Sequence, residues 1–304
     1  MNKPILVLFS FKSHRFGYIE KLFATLEQRA QSHSLTLKRG ALKELHIVIK
    51  NNTLSVFDPI NQMNLNEFGL VYFELWYKSP QQALAAALYC DRNNIPYFSE
   101  ELKNMIPLTK VGEIAKLADN SVPIVDTFTS SNRQIKQVFS SDDRPFDFPF
   151  ILKDAEGYGG NNNFLVKDFN QLRKLLSDYK SVTFIAQKFI PNNCDYRCLV
   201  LGNEVVLVLK RSRIGNDTHL NNTSQGADGE IVPVGSLPQK ALRDAVNAAQ
   251  VLGRGSFAGV DLIIDSQTGE HYILEVNQTP QIEIGADVDS KMDALLSYIR
   301  KRAI

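Results

Sequence analysis

The first hundred residues alternate between short apolar runs and segments in which apolar side chains recur at helical spacing. Residues 4–10 form a continuous apolar run, as a buried parallel strand does, and residues 17–29 show the helical spacing. Residues 70–76 and 95–99 are strand-like again, and residues 80–94 between them carry one apolar stripe that predicts a helix. This order predicts an open, doubly wound α/β sheet that ends near residue 105.

The rest of the chain contains strand-like segments separated by turns and by one long polar stretch. Residues 150–160 run from an apolar strand into a glycine-rich turn, and residues 184–191 form a strand that ends at a proline. Residues 258–265 and 271–280 predict a β-hairpin. Residues 215–230 are rich in Asn, Asp, Gly, Ser and Thr, which predicts a long loop of the kind that often serves function.

Composition narrows the class of protein. Of the 304 residues, 44% are hydrophobic and 22% are charged, which is typical of a globular enzyme and not of a disordered, fibrous or membrane protein. Lys and Arg number 34 against 33 Asp and Glu, so the whole molecule does not attract nucleic acid, and any basic site must be local. The apolar run at residues 5–9 is too short to span a bilayer, and three cysteines without zinc-ligand spacing predict reduced thiols. We therefore expect a cytoplasmic protein with no nucleic-acid or membrane partner.

The glycine-rich turn has the composition of an anion-binding loop. Gly157, Gly159 and Gly160 have no side chains to block the approach of phosphate oxygens to backbone N–H groups. Lys153, on the preceding strand, supplies a positive charge for the same anion. The motif alone leaves two interpretations open, a phosphate-binding loop and the tip of a structural hairpin.

The strand at residues 184–191 also has two interpretations. If a nucleotide lies beside this strand, the backbone of Lys188 and Phe189 can hydrogen-bond an adenine edge while apolar neighbours sandwich the ring. Alternating apolar residues occur in any sheet, so on its own the segment favours a plain core strand.

The predicted hairpin near the C-terminus carries oxygen-bearing side chains on both strands. Glu275 and Asn277 are two positions apart and share a face, and Asp261 meets them from the paired strand. Two carboxylates and an amide oxygen among apolar neighbours predict a Mg²⁺ site that ATP phosphates and waters complete. The alternative is a surface hairpin with incidental acids, which the hydrophobic neighbours disfavour.

The order of these motifs resembles that of the ATP-grasp superfamily, and within it the RimK-like branch, the ribosomal-protein glutamate ligases. The resemblance covers about residues 105–290, and the combination of motifs is more specific than any single one. The N-terminal lobe resembles the family only in kind. Beside Lys153 and its glycine-rich turn, the matching segments are residues 187–191, 195–202, 210–211, 222–226 and 259–280.

The resemblance implies an α/β and α+β protein with the ATP-grasp fold. It implies an open α/β lobe at residues 1–105, a small central lid subdomain at 106–190 and a C-terminal α+β subdomain with the metal site at 191–304. ATP would lie between the last two. The implied ATP-binding residues are Lys110, Lys153 and the three glycines for the phosphates, Lys188 and Phe189 for the adenine, Asp195 for the ribose, and Gln187.

The remaining candidate residues would bind phosphate, the substrate carboxylate or the metal. Arg211 and Asn222 would hold the γ-phosphate of ATP and the acyl phosphate formed from it. Arg197, two positions from Asp195 on a strand, has two open roles, a bidentate contact to the substrate carboxylate and a structural ion pair. Mg²⁺ is the expected metal and Mn²⁺ the alternative. The implied metal ligands are Asp261, Glu275 and Asn277.

The implied activity is that of an ATP-dependent carbon–nitrogen ligase that releases ADP. A carboxylate would be activated as an acyl phosphate and then attacked by an amine, with an amino acid, a peptide or a protein as substrate. Two other classes stay open, an ATP-grasp kinase that phosphorylates a small molecule and a protein that binds ATP without turnover. Because related enzymes often form dimers or tetramers, a homo-oligomer is an expectation that comes from the resemblance alone.

Overall fold

The computed structural model describes residues 3–11, 17–50, 53–104, 110–157, 161–212, 228–280 and 282–303. Gly159, Gly160 and Asn222, which were singled out from the sequence, lie outside the described residues. Within those ranges, no helix combines the length and the apolar composition that a membrane crossing requires.

The N-terminal part contains two sheets. Its elements in chain order are β1 (Ile5–Phe9), α1 (Tyr18–Ala30), β2 (Leu37–Ala41), β3 (His46–Lys50), β4 (Thr53–Asp58), β5 (Met63–Asn64), β6 (Leu70–Glu74), α2 (Pro80–Arg92), β7 (Tyr97–Phe98) and α3 (Glu101–Asn104). One sheet is parallel, with the strand order β2-β1-β6-β7. The other is antiparallel, with the order β3-β4-β5.

Strand β1 is buried on both faces, which explains its continuous apolar run. Ile5 and Val7 belong to a core that includes the apolar face of α1, whereas Leu6 and Leu8 belong to a core that includes α2. Helices therefore cover both faces of the parallel sheet. The doubly wound α/β lobe predicted from the sequence is confirmed.

The central part is a small antiparallel sheet with helices on one face. Its elements are α4 (Lys110–Asp119), β8 (Thr127–Thr129), α5 (Asn132–Phe139), β9 (Phe150–Asp154), β10 (Asn163–Val166), α6 (Phe169–Asp178) and β11 (Phe184–Lys188). The strand order is β10-β9-β11-β8. Leu152 and Ala186 face a core shared with α5 and α6. Because side chains alternate along a strand, Lys153 and Gln187 lie on the opposite face.

The C-terminal part is built on a five-stranded antiparallel sheet. Its elements are β12 (Cys194–Leu201), β13 (Glu204–Ser212), β14 (Asp228–Val232), α7 (Gln239–Val251), β15 (Ala258–Ile264), β16 (His271–Asn277) and α8 (Val288–Arg302). The strand order is β14-β13-β12-β15-β16. Helix α7 covers one face, where Ala245 and Ala248 share a core with Val208 and Val260. The opposite face of the same sheet carries charged side chains.

The C-terminal helix α8 returns to the N-terminal lobe. Leu295, Leu296 and Ile299 of α8 share a core with Ile5 of β1 and Leu22 of α1. Ion pairs between α1 and α8 add to this apolar contact. Arg29, in the last turn of α1, pairs with Asp289 and Asp293 of α8. Each sheet lies within one of the three proposed parts, 1–105, 106–190 and 191–304, but α8 joins the third to the first. The exact division stays a prediction.

A buried acid lies at the carboxyl end of the parallel sheet. Glu74, the last residue of β6, is 1% exposed and accepts a hydrogen bond from the Tyr72 hydroxyl. Burial and the neighbouring Glu283 raise the pKa of Glu74 to about 8, against the opposing hydrogen bonds from Tyr72 and Thr279. Between pH 4.5 and about 8, the folded protein therefore holds a proton on Glu74 that the unfolded chain releases.

Glu74→Gln should make the protein more stable at alkaline pH. The stability that protonated Glu74 contributes is complete below pH 4.5 and is lost as the pH rises through about 8. Glutamine resembles the neutral carboxyl, so the variant should match the parent at pH 5 and gain up to about 5 kcal/mol at pH 9, at about 1.4 kcal/mol per pKa unit. Thermal unfolding at both pH values measures this difference, with exposed Glu44→Gln as the control. Equal Tm values for parent and variant at pH 9 would contradict the assignment.

Candidate active site

The β15–β16 hairpin brings three oxygen-bearing side chains to one face of the C-terminal sheet. Asp261 pairs with Glu275, and Gly259 pairs with Asn277. A β-bulge between Asp261 and Leu262 places an extra residue on β16. Because of this bulge, Ile273 and Val276 both lie in the core although they are three positions apart. Glu275 and Asn277 therefore point away from the core, on the same side as Asp261.

Two arginines hold Asp261 in place. Arg197 makes a bidentate contact, with Nε 2.7 Å from Oδ1 and Nη2 2.8 Å from Oδ2 of Asp261. Nη2 of Arg211 lies 3.1 Å from Oδ2 of Asp261, and its Nε donates to Oδ1 of Asp195 at 2.5 Å. Of the two roles considered for Arg197, this contact favours the structural ion pair. Asp195, expected at the ribose, has Arg211 as its partner in the structure, and its contact to ribose stays a prediction.

The arginines also set the charge of this network. Burial raises the pKa of the Asp261 carboxyl, but the attraction of Arg197 and Arg211 is larger, so the net pKa is below its usual value. Burial raises the pKa of Asp195 to about 6 in spite of Arg211. Asp261 thus stays anionic at neutral pH. An anionic carboxylate is the form that binds a divalent cation.

Two lysines face this hairpin across a narrow cavity. The cavity is lined by α4, β9 and β16, with Lys110, Glu113, Ile114, Leu117, Lys153, Leu274, Glu275 and Val276 at its surface. Burial lowers the pKa of Lys153 to about 8, although the charge of Glu275 opposes the shift. Burial and the charge of Asp261 raise the pKa of Glu275. The cavity therefore places two cations opposite Glu275, whose side chain is partly open to solvent although the surrounding residues desolvate its carboxyl group.

The glycine-rich turn is held to helix α4. The Lys110 ammonium donates to the carbonyl oxygens of Asp154, at 3.1 Å, and of Gly157. Asp154 shapes the turn by accepting hydrogen bonds from the Glu156 N–H and the Asn162 amide. A Cβ at Gly157 would lie 2.9 Å from the Cβ of Asp154, so only glycine fits without a shift. This close approach explains Gly157 structurally, and its contact to phosphate stays a prediction.

The strand proposed to bind adenine, β11, lies between β9 and β8 in the central sheet. Gln187 is 6% exposed, and its amide donates to the Thr127 hydroxyl at 2.9 Å. The N–H of Lys188 already donates to the carbonyl of Asp126 at 3.0 Å. An adenine edge would therefore meet the carbonyl of Lys188 or the N–H of Phe189. The adenine contacts stay predictions.

A buried arginine that sequence analysis missed fixes the distance across the cavity. Arg254 is 4% exposed, donates to the carbonyl of Val276 at 2.6 Å and pairs with Glu113 at 2.6 Å. It therefore ties helix α4, which carries Lys110, to strand β16, which carries Glu275. Glu113 has a signal in the sequence, since it follows Lys110 by three positions and shares its helical face. Arg254 has none beyond its two flanking glycines.

The residues present fit Mg²⁺ and a polyphosphate. Among the described residues, neither Lys153 nor Glu275 forms a salt bridge, so both charges are available to a ligand. Three guanidinium N–H groups and the Asn277 amide meet Asp261, which has about four lone-pair positions, so a cation would take the position of the long amide contact of 3.4 Å. Asn277 donates its Nδ2 to Asp261 at 3.4 Å, which leaves its Oδ1 as a ligand.

This donor set needs oxygens from a second molecule. In the part of the chain that the structure covers, no three His, Cys, Asp or Glu side chains form a metal cluster. Mg²⁺ prefers six oxygens and is often bound by one or two carboxylates plus substrate phosphates. The set of Asp261, Glu275 and Asn277 beside two lysines suits that arrangement.

Comparison with known proteins assigns the chain to a family. The model of the RimK-like ATP-grasp domain matches residues 109–299. "Probable alpha-L-glutamate ligase" of Vibrio atlanticus is 29% identical over 164 residues, 51% of this chain and 51% of that protein. The protein of the same name from Maridesulfovibrio salexigens is 32% identical over 162 residues, again 51% of each. The matched region spans about half the length of these curated relatives.

A solved structure extends the likeness to the whole chain. The ATP-grasp ligase PsnB, complexed with minimal precursor, Mg and ADP, superposes with a TM-score of 0.69 over 99% of this chain and 100% of that chain. At 12% identity, this likeness shows that the fold is shared. Because the family model covers well over half of the residues, this protein belongs to the RimK-like ATP-grasp family.

Proposed function

We propose that this protein is an ATP- and Mg²⁺-dependent ligase that joins a carboxylate to an amine and releases ADP. The observation that carries the proposal is the placement of Asp261, Glu275 and Asn277 on one sheet face, with Lys110 and Lys153 across the cavity. The names of the relatives, alpha-L-glutamate ligases and an ATP-grasp ligase complexed with Mg and ADP, support the same activity.

Different residues of this protein would bind the triphosphate and the metal ion. Lys110, Lys153 and the N–H groups of the turn at Gly157 would hold the triphosphate, and the three hairpin oxygens would hold Mg²⁺, with Mn²⁺ as a substitute. Bound MgATP supplies the electrophilic phosphoryl group for the carboxylate. Phosphoryl transfer needs little covalent help from a protein, so positioning and neutralisation of charge are the main contributions. Arg211, buried and shared between Asp195 and Asp261, contributes a fixed positive charge beside the reacting groups.

We propose an amino acid as the carboxylate and the amine of an amino acid, peptide or protein as its acceptor. This assignment follows the names of the relatives, which include a probable alpha-L-glutamate ligase and the ATP-grasp ligase PsnB complexed with precursor peptide PsnA2. Cys90, Cys194 and Cys198 are free thiols, which agrees with a cytoplasmic location. A homo-oligomer remains part of the proposal through the family resemblance alone.

Hydroxylamine trapping separates this function from its alternatives. Purified protein is incubated with MgATP, hydroxylamine and each candidate carboxylate, and ADP release and hydroxamate are measured. A ligase should release ADP and form a hydroxamate only with its own carboxylate, because hydroxylamine replaces the amine. The natural amine should then give a product whose mass equals both substrates less one water.

Other results identify the other classes. A phosphorylated product that persists in hydroxylamine would indicate a kinase. Saturable ATP binding without ADP release across all pairs would indicate a binding protein. Substitution of Mn²⁺ for Mg²⁺ in the same assay tests the choice of metal.

A further inference from the structure

A groove runs between the two helices that cover the central sheet. It has a volume of about 780 Å³ and lies on the outer surface of α5 and α6. Leu152 and Ala186 face these helices, whereas Lys153 and Gln187 face away from them. The groove and the proposed ATP site are therefore on opposite faces of one sheet. Its lining residues are Asn132, Arg133, Lys136, Asn170, Arg173, Lys174, Leu176, Ser177 and Asp178.

The groove concentrates positive charge. Arg133 and Lys136 on α5 face Arg173 and Lys174 on α6, and all four side chains are exposed. Within the described ranges, none of the four forms a salt bridge. Asp178 is the one acid in the lining. Because the whole chain has 34 basic and 33 acidic residues, this excess is a local feature and not part of a generally basic surface.

The polar groups beside the cations favour a peptide over a phosphate polymer. The Nδ2 of Asn132 donates to the carbonyls of Tyr179 and Val182, at 3.4 Å and 3.1 Å, which leaves its Oδ1 as an acceptor. The Asp178 carboxylate is a second acceptor in the same lining. A peptide backbone offers an N–H donor to these oxygens at every residue, whereas phosphate groups offer none. Aromatic side chains for base stacking do not occur among the lining residues.

The dimensions suit a short extended segment. Helix α6 has ten residues and is about 15 Å long at 1.5 Å per residue. An extended chain advances about 3.3 Å per residue, so about five residues cover that length. Two or three acidic side chains in such a segment can reach cations on both helices.

We infer that the α5–α6 groove is a docking site for an acidic peptide segment, either free or part of a protein. The site recognises carboxylate side chains through four cations and the backbone through the oxygens of Asn132 and Asp178. It is separate from the proposed catalytic cavity. Occupation of the groove therefore does not depend on ATP or on the proposed ligase activity.

Fluorescence anisotropy tests this site directly. The probe is a fluorescein-labelled decapeptide of alternating Glu and Ser, titrated with the full-length protein in the absence of ATP. Binding should be saturable, should weaken as salt is raised from about 50 to 300 mM, because screening shortens electrostatic reach, and should exceed that of a Lys–Ser peptide. Arg133→Glu/Arg173→Glu should weaken binding at least about tenfold, since each change turns an attraction into a repulsion.

A matched variant separates the groove from overall charge. Lys38→Glu/Arg243→Glu makes the same change in net charge at exposed positions outside the groove, and its affinity should stay within about twofold of the parent. Circular dichroism and Tm establish that both variants fold. Equal losses in the two variants, or no loss in the first, would overturn the proposal. Tighter binding of a single-stranded RNA of equal charge would overturn the choice of a peptide. The titration contains no ATP and does not measure ligase activity, so it tests the groove even if the protein shows no activity in the ligase assay.

Discussion

Glu275→Ala should lower kcat/KM for ATP by about a hundredfold to a thousandfold while the protein stays folded. Glu275 is one of two carboxylates in the proposed Mg²⁺ site, and loss of one preorganised group that stabilises transition-state charge costs about 3–4 kcal/mol. Burial and Asp261 raise the pKa of Glu275, so its negative charge is unfavourable in the empty protein. Its removal should therefore leave the Tm unchanged or slightly higher. Loss of activity without loss of stability is the expected combination.

ADP release under saturating carboxylate and amine, followed at several ATP and Mg²⁺ concentrations, measures the effect. Glu270→Ala is the matched control, because Glu270 is an exposed acid in the turn of the same hairpin. That variant should retain activity within about twofold. Undiminished turnover in Glu275→Ala would remove the metal site from the proposal, and with it the observation on which the ligase assignment depends. A fall in Tm would instead indicate that Glu275 has a structural role.

Periodicity predicted the elements that carry the candidate site because each is a local pattern. The strand at Phe150–Asp154 and the hairpin strands at Ala258–Ile264 and His271–Asn277 are bounded by turn residues and contain apolar runs of strand length. A hairpin with a short turn pairs Ile264 with His271, and this register continued without a bulge would pair Asp261 with Leu274 and not with Glu275. Local rules therefore place the expected metal ligands on neighbouring strands but do not set their exact pairing.

Local rules do not predict the β-bulge between Asp261 and Leu262. Two-residue spacing correctly predicted that Glu275 and Asn277 share a face, but it does not decide which face that is. Strict alternation from Ile273, which is in the core, would turn Glu275 into the core as well. The extra residue on β16 reverses this and leaves Ile273 and Val276 together in the core that α7 covers.

Contacts between segments that are distant in the chain could not be predicted from the sequence pattern either. Arg254 joins Glu113 and the carbonyl of Val276, and nothing in the residues around each of these positions specifies the other two. The same holds for α8, whose apolar stripe predicts a buried face without saying that the N-terminal lobe covers it. Partner choice of this kind depends on the whole chain's packing, which periodicity does not encode.

Arg211→Met should destabilise the protein by about 3–5 kcal/mol, because it leaves two buried carboxylates short of a partner. Arg211 is 4% exposed and contacts Asp195 and Asp261, each of which is 7% exposed. Arg211→Lys should recover only part of the loss, since a lysine ammonium cannot span both acids as the planar guanidinium does. Equilibrium unfolding in urea measures the free energy of unfolding, with the exposed Arg243→Met as the control.

A double-mutant cycle then separates the two roles considered for Asp195. If Asp195 serves mainly as the partner of Arg211, Asp195→Asn combined with Arg211→Met should be more stable than the sum of the single changes predicts, with a coupling of at least about 1.5 kcal/mol. If Asp195 serves mainly to bind ribose, the two changes should add, and Asp195→Asn alone should raise the KM for ATP at unchanged stability. The contact of 2.5 Å between Arg211 Nε and Asp195 Oδ1 favours the coupled result. Asp261 keeps its bidentate contact to Arg197 in every variant. The contact from Arg211 to Asp261 is lost in both the Arg211→Met variant and the double variant, so it cancels in the cycle, and the coupling reports on Asp195.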